Sequence, residues 1–183
     1  MKRSIISVAV LSAVFMSAGA FAADTDSGIL NINGRITGTT CHFQDNKNTT
    51  SIDMNEIGSD VFAGKSAGYV YTGVKNSTST PLIIVCDNED VPKLSLSKSE
   101  FDSNDITHNS LTGTDDATGV GFAVYLGKTA DESKRVKPEN TLQLNKIDDK
   151  TYQLDFTAQY AQSGSSVTKG AVSSAVTLTV VTD

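Results

Sequence analysis

The segment Gly28–Ile36, just ahead of the first cysteine, has the alternating pattern of a β-strand. Leu30, Ile32 and Ile36 are apolar. The residues between them are polar: Asn31, Asn33 and Arg35. A period of two puts alternate side chains on opposite faces, so this pattern predicts a strand with one buried face. Because the strand lies near the start of the chain, it could complete its own sheet or be lent to another molecule.

The first 22 residues have the features of a secretory signal peptide. Lys2 and Arg3 precede a mostly apolar run, Ile5–Met16, which is too short to span a bilayer. Ala20–Ala22 then fits an A-x-A cleavage site. We therefore expect residues 1–22 to be removed and the rest of the chain to be exported.

Composition excludes several classes of partner. The formal net charge is −6, and loss of Lys2 and Arg3 would make it −8. Nucleic acids and anionic membranes attract basic surfaces, so neither is an expected partner. Aromatic residues make up 7% of the chain and tryptophan is absent, while short runs of Thr, Ser, Val and Gly favour strands over helices. We expect a single all-β domain after the signal peptide.

The two cysteines, Cys41 and Cys86, are expected to form a structural disulfide, because an exported protein meets an oxidising compartment. Such a bond should stabilise the fold by roughly 4 kcal/mol on the chain-entropy account. The alternative of a reactive thiol is disfavoured, since the sequence has no CxxC motif or catalytic histidine pattern.

Further strands alternate along the chain, and their spacing suggests an immunoglobulin-like β-sandwich of roughly seven strands. The clearest are Pro81–Cys86, Gly119–Leu126, Tyr152–Tyr160 and Val172–Val180. The segment Phe101–Thr118 is rich in Asp, Asn, Ser, Thr and Gly, and is expected to be a long surface loop.

No catalytic or metal site is predicted. Two S-x-x-K matches, Ser95–Lys98 and Ser166–Lys169, lie in a predicted strand and a loop, whereas that motif needs a helical turn. His42 and His108 lack the spacing of metal ligands. The acidic clusters lack the ordered calcium-loop pattern and are interpreted as solvated turns. They are Asp87–Asp90, Asp102–Asp105 and Asp115–Asp116. We expect neither an enzyme nor a cofactor.

Five motifs in order resemble the pilins of chaperone-usher fimbriae of the type-1 kind, over nearly the whole chain. They are Gly34-x-Ile36 before Cys41, Cys86–Asp87, Gly119–Phe122, the Phe156-x-Ala158-x-Tyr160 strand end, and a glycine fourteenth from the C-terminus, Gly170. One position departs from the family pattern: the penultimate residue is Thr182, where the family usually has tyrosine.

The resemblance implies an incomplete immunoglobulin-like β-sandwich that lacks its last strand. In this family a periplasmic chaperone first lends the missing strand, and the N-terminal extension of the next subunit then replaces it. By this resemblance, residues 23–40 would be the donor-strand extension and residues 41–183 the pilin domain.

The resemblance also assigns residues to the two sides of the contact. Leu30, Ile32 and Ile36 would fill pockets in the neighbour, and Gly34 would lie where the groove is too narrow for a side chain. The acceptor groove would include residues of the C-terminal strand. They are Gly170, Val172, Val176, Leu178 and Val180.

The function that the resemblance implies is a structural subunit of an extracellular fimbria, polymerised by donor-strand exchange and placed in the shaft. Its expected partners are other copies, other fimbrial subunits, the periplasmic chaperone and the outer-membrane usher. The alternative is a single-domain adhesive subunit that binds a host glycan or protein through loops such as Phe101–Thr118.

Overall fold

The computed structural model describes residues 28–37, 40–89 and 91–181. The predicted signal peptide, residues 23–27 and 38–39 of the predicted donor-strand extension, and Thr182 lie outside the described residues. The structure is all-β, which confirms the predicted class. The only helical elements of the described ranges are four short 3-10 turns: Gln44–Asn46, Ser59–Phe62, Lys98–Glu100 and Glu132–Lys134. None of the described segments is a helix long and apolar enough to cross a membrane.

Twelve strands are described, more than the seven predicted, because several are only two to four residues long. They are β1 (Gly28–Thr37), β2 (Cys41–Phe43), β3 (Thr49–Met54), β4 (Asn76–Ser77), β5 (Leu82–Cys86), β6 (Lys93–Leu96), β7 (Val120–Leu126), β8 (Leu142–Gln143), β9 (Asn145–Asp148), β10 (Thr151–Leu154), β11 (Phe156–Gln162) and β12 (Val172–Val181).

The strands form three sheets around a common core. The largest has the order β3-β1-β12-β6-β8, and the others have the orders β2-β5-β10-β9 and β4-β11-β7. Only Asp155 separates β10 from β11, so one stretch of chain joins the two smaller sheets. Buried apolar side chains from all three sheets form one continuous cluster. The β-sandwich is therefore closed around one main core.

The predicted disulfide is present, which confirms the pairing of Cys41 with Cys86. The two residues are directly opposite each other in the antiparallel β2-β5 pair, and their Cα atoms are 3.9 Å apart. Both are buried. The bond thus ties the start of the domain, immediately after β1, to a central strand.

The segment Phe101–Thr118 differs from the predicted surface loop in its middle. Ile106 and Thr107 are fully buried there. The hydroxyl of Thr107 donates to the hydroxyl of Ser174, 2.9 Å away, and accepts from the backbone N–H of Phe122 at 2.9 Å. The loop therefore folds back and joins β12 to β7 through buried hydrogen bonds.

Candidate functional site: the N-terminal strand and its groove

The N-terminal strand β1 lies inside its own domain, between β12 and β3. It pairs with β12 in parallel over ten positions, from Gly28 opposite Val172 to Thr37 opposite Val181. On its other side it pairs with β3 in the antiparallel sense over six positions. Of the two alternatives that the sequence left open, the single chain therefore adopts the first, and its own strand closes the sandwich beside β12.

The apolar side chains of β1 point into the core as the alternation predicts. Leu30 and Ile32 are 0% and 1% exposed, and Ile36 is partly buried against the same core. The polar residues between them are exposed. Full burial of a Leu or Ile side chain is worth about 1.5–3 kcal/mol, so these residues provide much of the free energy that holds β1 in place.

Two glycines of β1 lie over aromatic rings. A Cβ added at Gly34 would overlap the ring of Phe43 and come within 3.1 Å of the Leu178 side chain. One added at Gly28 would overlap the hydroxyl of Tyr160 and lie 3.1 Å from the Phe122 ring. The groove beneath β1 thus has two narrow points. The sequence analysis singled out Gly34 but not Gly28, although Gly28 is the first residue of the same segment.

The C-terminal strand β12 forms the wall of the groove. Its inward side chains are buried: Val172, Ser174, Val176, Leu178 and Val180. Ser174 is the polar member, and its hydroxyl donates to the carbonyl of His108 at 2.7 Å. Because this buried hydroxyl is hydrogen-bonded, it does not disturb the apolar wall.

Gly170 precedes β12 and has a backbone conformation that only glycine adopts readily, with φ +139°. A Cβ there would overlap the backbone of Asp115 and lie 2.5 Å from the backbone nitrogen of Ala117. The neighbouring Ala171 carbonyl accepts a hydrogen bond from Ala117 N–H at 3.0 Å. Gly170 therefore lets the chain pass close to this segment before it enters β12.

A cavity of about 390 Å³ lies at the end of the groove where β1 begins. Gly28 and Gly170 line it, with apolar side chains such as Ile57 and Val120. Glu56 and Lys169 are also among its lining residues. The cavity at this end of β1 is therefore lined by both apolar and charged residues.

Tyr160 joins this cavity to β1. Its hydroxyl accepts a hydrogen bond from the backbone N–H of Gly28. Burial raises the pKa of Tyr160, the bond from Gly28 opposes that rise, and the charge of Glu56 adds to it. The phenol is neutral at physiological pH, so it can accept from Gly28 without placing a charge in the groove.

Other candidate chemistry is not assembled among the described residues. No group of three or more His, Cys, Asp or Glu side chains there could hold a metal ion. Phe101, the aromatic residue of the loop considered for receptor binding, is 6% exposed. The part of that loop in the structure therefore presents no aromatic platform to solvent.

The fold and its groove define a class: an immunoglobulin-like sandwich of the pilin type, with an N-terminal strand seated beside the last strand. The chain is 37% identical over 190 residues to the uncharacterized fimbrial-like protein YehD of Escherichia coli K12, with 100% of both chains covered. It is 26% identical over 174 residues to the uncharacterized fimbrial-like protein SfmA of the same strain, with 93% of each covered. The chain belongs to the fimbrial-like protein family.

No family model matches the chain. A solved structure, the Burkholderia pseudomallei antigen and type I fimbria protein BPSL1626, is similar with a TM-score of 0.42 and 16% identity, and the similarity covers 83% of this chain and 93% of that one.

Proposed function

We propose that this protein is a structural subunit of the shaft of an extracellular fimbria and polymerises by donor-strand exchange. Membership of the fimbrial-like family supports a structural rather than a catalytic role. The observation that carries the proposal is the seating of β1. It is a terminal strand that fills a groove in the sandwich, and the groove would accept the same strand from a second copy.

In the exchange, the strand that fills the groove comes from a different copy, but the side chains and backbone groups that make the contact stay the same. Leu30 and Ile32 leave the core of their own domain and enter the equivalent groove of a neighbour, so the buried apolar area is preserved. The backbone groups of β12 stay paired, because an unpaired buried edge would be costly. Residues 23–40 act as the donor extension and residues 41–183 as the acceptor domain.

Exchange also requires that the groove be kept from closing on its own strand. A periplasmic chaperone that lends a strand would do this, and the outer-membrane usher would then receive the subunit for export to the cell surface. Other copies of this chain and other fimbrial subunits are the partners in the finished fibre. This route follows the family resemblance.

A locked strand tests the proposal. Asn33 and Thr177 are directly opposite each other on the solvent side of the β1-β12 pair. In the double variant Asn33→Cys with Thr177→Cys, a disulfide formed in the periplasm would fasten β1 into its own groove. We expect wild-type bacteria to carry fibres that immunogold labels along their whole length, and bacteria that produce this variant to lack them.

The two single-cysteine variants are the matched controls and should assemble normally. Fibres of normal length from the oxidised double variant would contradict strand exchange. Gold label confined to the fibre tip would contradict a place in the shaft.

A further inference from the structure

β1 contains the only asparagine-glycine pair in the sequence, Asn33–Gly34. The Asn33 side chain is exposed, whereas Gly34 is buried over the groove. In a flexible chain, the backbone nitrogen of the following residue can attack the side-chain amide of an asparagine. Glycine hinders this attack least, because it has no Cβ and allows the widest range of backbone angles. Asn33 is therefore the asparagine of this chain with the greatest chemical tendency to deamidate.

Pairing on both sides protects Asn33 while β1 lies in the groove. The backbone N–H of Gly34 donates to the carbonyl of Asn48 at 2.6 Å. Asn33 lies opposite Thr177 of β12 and Thr49 of β3. For the attack, the Gly34 nitrogen must give up its hydrogen bond and turn toward the Asn33 side chain, so the backbone must leave the extended conformation of a strand. The seated strand thus holds the pair in a conformation that does not react.

Departure of β1 from the groove removes this protection. β1 buries only one face, and its longer pairing is of the weaker, parallel kind. Such an element opens at a lower cost in free energy than the whole domain. In the open state the Gly34 N–H is bonded to water and the segment is free to bend. The rate of reaction at Asn33 is then set by the fraction of time that β1 spends outside a groove.

We propose that Asn33–Gly34 is a site of spontaneous modification that is protected only while β1 is seated. The Gly34 nitrogen forms a bond to Cγ of Asn33 and loses its proton to solvent. The bond from Cγ to the side-chain nitrogen breaks, and ammonia leaves. Water then opens the cyclic imide at one of its two carbonyls, which gives aspartate or isoaspartate. The reaction needs only water, and the site does not rest on the proposed strand exchange.

The two products have different consequences for β1. Aspartate keeps the main chain unchanged and places its carboxylate on the exposed face, where Asn33 lies. Isoaspartate adds one carbon to the main chain, so every later residue of β1 moves out of register. Gly34 then no longer lies over Phe43, where the groove has no room even for a Cβ, and its hydrogen bond to Asn48 is lost. A strand with isoaspartate should therefore not return to the groove.

Comparison of the folded chain with a free strand tests the protection. The mature chain and a synthetic peptide that copies Gly28–Thr37 are incubated in the same mildly alkaline buffer, and mass spectrometry follows the conversion of Asn33. If β1 is open for less than about a tenth of the time, the folded chain should react at least about tenfold more slowly than the peptide. Equal rates in the folded chain and the peptide would overturn the protection.

Weakening the seat of β1 should accelerate the reaction. Leu30→Ala removes a fully buried side chain of β1, and such a truncation changes an opening equilibrium by more than about tenfold. The rate at Asn33 should rise by at least that factor. The matched control is Leu154→Ala, which removes an equally buried leucine from β10, a strand that pairs with β5 and β9. Equal acceleration by both variants would show that Asn33 reacts through unfolding of the whole domain, and would overturn the role of β1.

Fastening β1 should slow the reaction. Asn31 and Ala175 are directly opposite each other, and both are exposed. In the double variant Asn31→Cys with Ala175→Cys, a disulfide would hold the strand on one side of Asn33, while the native disulfide at Cys41 holds it on the other. The rate should fall below that of the control Asn31→Ser with Ala175→Ser. A fastened chain that reacts as fast as this control would contradict the proposal.

The effect of isoaspartate is measured on aged protein. The mature chain is incubated in urea, where Asn33 is unprotected, and then refolded. An isoaspartyl methyltransferase labels the isoaspartate that has formed. A fraction of molecules with a lower urea midpoint should appear in proportion to that label, whereas Asn33→Asp, which supplies the aspartate product alone, should keep the midpoint of the wild type. Labelled chains with the same midpoint as Asn33→Asp would overturn the claim that isoaspartate unseats β1.

Discussion

The β1-β12 seam and the β7-β11 pair are both long ladders, but they differ in how they are buried. All seven residues of β7 and all seven of β11 are buried, and the two strands are antiparallel neighbours from Phe156 opposite Leu126 to Gln162 opposite Val120. β1 buries one face only and leaves the other to water. Its longer pairing is also the weaker, parallel kind.

This difference indicates that β7 and β11 are integral to the domain, whereas β1 is the strand whose removal disturbs the core least. β7 and β11 pack on both sides, since Ala123 and Tyr125 form a second small cluster with Ile106 and Ala161. Removing either strand would expose two layers of core. Removing β1 would expose one groove, which an equivalent strand would refill if the proposed strand exchange takes place.

The largest loss of stability is expected in β11, which an added β1 peptide cannot replace. Phe156→Ala in β11 removes a fully buried ring and should lower the free energy of unfolding by about 3–5 kcal/mol. Urea unfolding of the mature chain measures this loss. Adding a synthetic peptide that copies Gly28–Thr37 should leave the urea midpoint of this variant unchanged. If Phe156→Ala lowered the free energy of unfolding by less than about 1 kcal/mol, the contrast between the two regions would be lost.

A smaller loss is expected in the exchangeable strand, and it should be recoverable. Ile32→Ala should cost about 2–4 kcal/mol, within the usual range for a buried Ile. The wild-type peptide should raise the urea midpoint of this variant, because it can take the place of the weakened strand. A peptide with Ile32→Asp is the matched control, and equal rescue by both peptides would show that the groove does not read this side chain.

Alkaline pH should loosen the seam through Tyr160. Burial raises the pKa of this phenol above its ordinary value of 10, so the folded state keeps a proton that the unfolded chain loses. Stability is therefore complete below pH 10 and falls as pH rises through the folded value. Tyr160→Phe should flatten this fall in urea midpoints between pH 8 and 11. Some slope should remain, because burial also raises the pKa of Tyr125.

The smallest effect is expected at the surface, away from both ladders. Lys98 and Glu139 form an ion pair with side chains that are 73% and 69% exposed. Solvent and salt screen such a pair. At physiological salt, Lys98→Ala should have the same urea midpoint as the wild type within experimental error. A clear shift would show that this surface ion pair contributes to the stability of the domain.

Local pattern predicted much of the architecture. The alternation of Leu30 and Ile32 with polar neighbours identified both the strand and its buried face. The disulfide could be predicted because a chain expected to be exported and holding only two cysteines has one possible pairing, and the structure confirms it. These features depend on residues close in sequence or on chemistry that the compartment dictates, so the sequence is sufficient to predict them.

Long-range placement could not be predicted in the same way. Ile106 lies in a stretch of polar residues, and only the tertiary fold shows that it packs beside Ala123 of β7. Gly28 looked like the end of a segment, and its role required the position of Tyr160, more than a hundred residues away. The apolar-polar alternation of β1 likewise did not predict that the strand lies in its own groove, because the same alternation would fit the groove of its own domain or that of a second copy.

The short connection between β1 and β2 has a consequence for assembly in solution. Only Gly38, Thr39 and Thr40 separate Thr37 from Cys41, so the strand is tethered next to its own groove. A short tether gives an effective concentration of about 1 mM or more. A second copy at about 1 μM would compete at a thousandfold disadvantage, close to 4 kcal/mol. Free subunits should therefore remain single at ordinary concentrations, and fibre growth should depend on how long each groove is held open before its own strand returns.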